Sequence, residues 1–83
     1  MKKNKVLNAA IMEVIENQIE GNDPPETKQT LDRLINQGYT DNEARNLIGI
    51  VVASEIFEVL KQGRPFDQKK FVSALNALPK TGL

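Results

Sequence analysis

The chain has no cysteine, no histidine and no tryptophan, and its aromatic content is one tyrosine and three phenylalanines in 83 residues. Without cysteine neither a disulfide framework nor a thiolate metal site can form, and redox chemistry sets no limit on the compartment. Without histidine the commonest general base and the commonest metal ligand are missing together. No apolar run approaches the roughly 18 residues of a membrane span. The lysines of residues 1–5 are followed by Glu13 and Glu16, which speaks against a secretory leader and makes a cytoplasmic protein the expectation. The five glycines are scattered singly, so no phosphate-cradling loop is present.

Nor is there an excess of either charge: eleven bases balance eleven acids. Their placement is uneven. Lys2, Lys3 and Lys5 open the chain, residues 6–60 hold ten acids against Lys28, Arg33 and Arg45, and residues 61–83 hold five bases against Asp67. A chain of this length builds a single domain with one core, residues 1–83 with frayed ends at 1–3 and 80–83, and a net stability of a few kcal/mol.

What is present is helical periodicity. The organising stretch is Tyr39–Gly63, YTDNEARNLIGIVVASEIFEVLKQG. Thr40 followed by Glu43 forms a capping box, Lys61 suits the carbonyl end of the helix dipole, and Gly63 supplies a left-handed stop. Three shorter helices are expected around it. The first covers 4–20, with Leu7, Ala10, Ile11, Val14, Ile15 and Ile19 on one arc and Gly21 as terminator; the second covers 24–37, with Asp23 as N-cap, Glu26 completing a capping box, a seam of Leu31, Leu34 and Ile35, and Gly38 as stop. The fourth covers 68–78, capped by Asp67, with Phe66 and Phe71 as a hydrophobic staple and Pro79 ending it. The fold class is therefore all-α, a four-helix domain with a long central third helix over 41–62. The expected core is Leu7, Ile11, Val14, Ile15, Leu31, Leu34, Leu47, Ile48, Val51, Ile56, Leu60, Phe71 and Leu75.

Two features of the third helix point at its packing. Its apolar arc rotates along its length, from Ala44, Leu47, Ile48 and Val51 to Val52, Ile56, Val59 and Leu60, as a change of partner would require. Gly49 lies where the change occurs, which suits either a closely crossing neighbour or a kink. Glu55 continues the first apolar face, so it is the acid most exposed to burial and in need of a lysine or arginine partner.

Residues that carry chemistry are sparse. Glu13, Glu16 and Glu20 share a face opposite the apolar arc, where water competes for any cation, so no metal and no cofactor is expected. Glu55 and Glu58 have no nucleophile beside them, and Ser54 and Ser73 have no base; catalysis has no support. Lys61, Arg64, Lys69 and Lys70 cluster around the turn before the fourth helix and are the candidate polyanion contact. Phe66, the one aromatic among them, is claimed by the staple, so any nucleic-acid contact there is backbone-only and salt-sensitive.

The segment Leu31–Ile48, LDRLINQGYTDNEARNLI, resembles the first two helices of ubiquitin-associated-type domains and of the small helical domain that ends a bacterial Holliday-junction branch-migration protein. The resemblance rests on the leucine pair, the Gly38-Tyr39 turn and Glu43-Ala44 one turn into the next helix. It implies that Gly38 and Tyr39 lie on a partner-recognition face. Those domains break after this helix, whereas here it continues through Leu60. As a whole, with its PPE, GYT, EIFEVLK and GRPFD segments, the chain is also similar to a family of small prokaryotic helical proteins that has no assigned activity. The functional expectation is a non-enzymatic module or accessory protein that binds another protein, as a monomer or as a homodimer through the first helix. A nucleic-acid accessory role through the basic cluster is the alternative.

Overall fold

In a computed structural model of the chain, which describes residues 5–80 and, within them, side chains from residue 9 onward, the fold is all-α. Helix α1 spans Lys5–Gly21, α2 Pro25–Asn36, α3 Asp41–Gln62 and α4 Gln68–Ala77. The capping box at Thr40 forms in both directions, with Glu43 N donating to Thr40 Oγ1 at 3.1 Å and Thr40 N donating to the Glu43 carboxylate at 2.9 Å. Gly63, at φ 65°, donates its amide to Val59 O and closes the helix. At 1.5 Å per residue, α3 is about 33 Å long and runs the length of a molecule whose longest extent is 36 Å.

Helix α3 packs against each of the other three, and so does α2, whereas α1 and α4 are not packed on each other among the described residues. The crossing of α1 over α3 falls at Gly49, which is buried. A β-carbon placed there would lie 3.4 Å from Ile11 and Met12 and 3.8 Å from Ile15. The helix is continuous through this glycine, which admits the crossing. The apolar arc of α1 is thereby engaged within the chain, with Ile11 and Ile15 buried. Arg45 ties the two helices at their edge, donating to Asp41 at 2.7 Å and to Glu16 at 2.8 Å.

Several expected helix ends are displaced by one residue, α2 for instance closing at Asn36 rather than at 37. Gly21 remains helical and Asn22 takes the left-handed position at φ 51°. Asn22 N then donates to Ile19 O and Asp23 N to Gln18 O, a Schellman closure, and Asp23 makes no cap to α2. The N-cap of α2 is Pro24, extended at ψ 150° and without a side-chain hydrogen bond. The cause is the following proline: the ring of Pro25 disfavours helical geometry in the residue before it, so the helix starts one residue later than a Pro24 start implies. Leu78 is extended before Pro79 for the same reason, and α4 ends at Ala77.

The core is made of Ile11, Ile15, Leu31, Leu34, Ala44, Ile48, Val51, Val52, Phe71, Leu75 and Leu78, with Val14, Leu47 and Tyr39 packed against it. The Leu7 side chain lies outside the described residues. The seam of α2 is Thr27, Thr30, Leu31 and Leu34 rather than one that includes Ile35, which is half exposed. Thr27 enters the interior because its hydroxyl donates to Gln18 Oε1 at 2.8 Å, which satisfies it. The larger correction concerns α3: Ile56 is 40% exposed and Leu60 77% exposed, against the expectation that both belong to the core. Helix α3 outruns its neighbours; α1 crosses at Gly49 and α4 has only ten residues, so no described residue covers this side of its last two turns.

Helix α4 is held from outside the core by Arg33 of α2. The guanidinium donates to Leu78 O at 2.9 Å and to Leu75 O at 3.0 Å, capping carbonyls at the end of α4, where Leu75 O also accepts the Leu78 amide at 3.1 Å. Arg33→Met keeps the aliphatic stem and removes the donors. It is expected to cost about 1.5 kcal/mol in urea unfolding and to raise amide exchange selectively at Leu75–Leu78.

Candidate functional site

The Gly38-Tyr39 turn closes α2. Gly38, at φ 108°, donates to Ile35 O, and Tyr39 N donates to Leu34 O at 3.1 Å, a second Schellman closure. Glycine is demanded by the backbone angle, and Tyr39 is half buried against the core next to the N-cap of α3. Local closure thus accounts for both residue types, while Gly38 itself is exposed.

The basic cluster gathers at the corner between α3 and α4. Arg64, Lys69 and Lys70 line one open basin of about 480 Å³ together with Glu55, Glu58, Phe66 and Asp67. Lys61 stands outside this basin, on the side of α3 that carries Phe57 and Leu60. Glu58 is the electrostatic centre, receiving Lys70 Nζ at 2.7 Å and Arg64 at 3.4 Å. The Lys70 hydrogen bond and charge, with a smaller contribution from Arg64, hold its carboxyl below the ordinary range. Two of the four cations are therefore neutralised locally, and Lys70 also gives its backbone amide to the Asp67 cap. Among the described residues the one other shifted group is Arg45, raised chiefly by its hydrogen bond to Glu16. Lys2 and Lys3, and the Lys5 side chain, lie outside the described residues.

Beside this corner is an apolar surface that includes Leu60, a residue expected in the core. Phe57 is 71% exposed and Leu60 77%, and they form a ridge bordered by Lys61. Ile56 joins the ridge to a cleft of about 290 Å³ between α1, α3 and α4, lined by Val14, Gln18, Val52, Glu55, Ile56, Phe66 and Phe71. The cleft exists because α1 and α4 stand apart, and Phe66 roofs it while tilting onto Phe71 with ring centres 5.5 Å apart. Glu55 sits at its rim, 8% exposed, with no hydrogen bond or ion pair to any described residue. The lysine or arginine partner expected for it is not among those residues; its carboxylate keeps water contact, since no buried polar side-chain atom is left unpartnered among them.

Among the described residues no three His, Cys, Asp or Glu side chains are grouped to hold a metal ion, and no helix is long and apolar enough to cross a membrane. No family model, curated protein or solved structure matches the chain.

Proposed function

We propose that this chain is a non-enzymatic protein–protein interaction module, and that its working surface is the uncovered end of α3. The observation that carries the reading is the exposure of Phe57 and Leu60 at 71% and 77%, flanked by half-exposed Ile56 and Phe66. Each of the two large side chains forgoes about 1.5–3 kcal/mol by staying in water, and contiguous exposed apolar surface of this kind marks an interaction site. The groups with shifted titration among the described residues, Arg45 and Glu58, owe their shifts to ion pairs at the surface rather than to burial, in keeping with a role that is not catalysis. The nucleic-acid alternative has less support, because Glu58 already engages Arg64 and Lys70. The Gly38-Tyr39 turn is the second surface, supported by its likeness to ubiquitin-associated-type domains.

A photoreactive phenylalanine analogue at position 57, with a control at exposed Asn46 of the same helix, tests the reading in living cells. A discrete polypeptide adduct from position 57 and none from 46 is the expected result. No adduct above the control, or an adduct with nucleic acid alone, would overturn it.

A further inference from the structure

We infer that the polypeptide seated on this face is a second copy of the chain, in a two-fold pair where the Phe57–Leu60 ridge of each protomer fills the cleft of the other. The inference rests on the reading of the face as an interaction surface and names its occupant.

The first argument is shape. A two-fold interface uses the same patch on both protomers, so the patch must carry both a projection and its matching hollow. Here they adjoin: Phe57 and Leu60 project, and the cleft beside them is lined by Ile56, one helical turn before Leu60 on α3. At about 290 Å³ the cleft falls just below the roughly 300–1,000 Å³ typical of small-molecule sites, and suits the apolar side chains that such a ridge inserts.

The second argument is charge. Glu55 at the cleft rim has no hydrogen-bond or ion-pair partner among the described residues, and Lys61, which borders the ridge, makes no such contact among them either, acting on Glu58 through its charge alone. An acid that is 8% exposed would be cut off from water if an apolar side chain filled the cleft, and so needs an incoming cation. The ridge brings Lys61 with it. Two-fold symmetry turns this into two reciprocal Glu55–Lys61 pairs, and the corner cations held by Glu58 stay at the rim. With equal numbers of bases and acids, two copies meet without net repulsion.

Sedimentation equilibrium of the full chain tests this. The interface is at the small end of the range, below about 1,200 Å², so a concentration-dependent dimer is expected between about 10 μM and 1 mM. Leu60→Asp is expected to give a monomer with unchanged helical circular dichroism, because the side chain it replaces is mostly in solvent. Glu55→Lys and Lys61→Glu are each expected to weaken association about tenfold or more. Combined in one chain they restore it, because each protomer then offers the reversed pair. Glu55→Gln, which adds no charge, is expected to weaken it less and guards against a folding defect in Glu55→Lys.

A monomer at every concentration, a dimer indifferent to Leu60→Asp, or a charge swap that fails to restore association would overturn the inference. In those cases an adduct from position 57 with a different protein leaves the interaction surface standing, whereas no adduct removes both.

Discussion

Replacing Phe71 with alanine is expected to remove about 3–5 kcal/mol, enough to leave much of the protein unfolded at room temperature. Net stability for 83 residues is roughly 4–12 kcal/mol by the usual per-residue figure, and a domain with one small core sits toward the lower end. Phe71 is fully buried and is one of three residues, with Leu75 and Leu78, through which the α4 region enters the core. Its ring also forms the floor under Phe66. Truncation therefore leaves a cavity at a junction of three helices, where collapse would require α1 or α4 to move as a unit. Phe71→Leu, which keeps most of the volume, is expected to lose less than about 1.5 kcal/mol. Urea denaturation followed by circular dichroism reads both. A loss below about 1 kcal/mol for the alanine variant would mean that α4 is not docked as described.

The second large effect concerns Gly49, through the difference between two substitutions. Alanine and leucine have nearly equal helix propensity, both close to 1 kcal/mol better than glycine, so their difference isolates the crossing of α1. A β-carbon alone meets Ile11 and Met12 at 3.4 Å, the edge of ordinary contact. Gly49→Ala is therefore expected to be neutral or to stabilise by up to about 1 kcal/mol. Gly49→Leu drives three further carbons into the face of α1 and is expected to be less stable than the alanine variant by about 2–3 kcal/mol. Equal melting temperatures for the two variants would contradict a close crossing at this residue.

The end of α3 shows where reading from sequence fails. In EIFEVLK four of the seven residues are apolar, and with Val51 and Val52 they cover roughly 240° of the helical wheel at about 100° per residue. That width is more than one face, and periodicity cannot tell whether neighbours exist to cover all of it. Assigning Ile56 and Leu60 to the core presumed that they do; the finite reach of α1 and α4 leaves them bare. Thr27 and Thr30 failed in the opposite direction. Neither belongs to the apolar seam expected of α2, yet both are buried, Thr27 because Gln18 of another helix accepts its hydroxyl proton. The Arg33 clamp was equally illegible, since its acceptors lie more than 40 residues away. The corner cations were found as a cluster, but their engagement by Glu58 was not.

Local chemistry alone determined the four helices, the capping box at Thr40, the stop at Gly63 and the Phe66–Phe71 staple, because each is a bargain between residues a few positions apart whose geometry the helix itself supplies. The tertiary structure decided which parts of those helices lie under a neighbour. Burial depends on lengths and crossing points that no local window contains: α1 meets α3 at Gly49, stands apart from α4, and leaves Ile56, Phe57 and Leu60 beside an open cleft. That surface, from which the functional reading grows, is a property of the assembled fold.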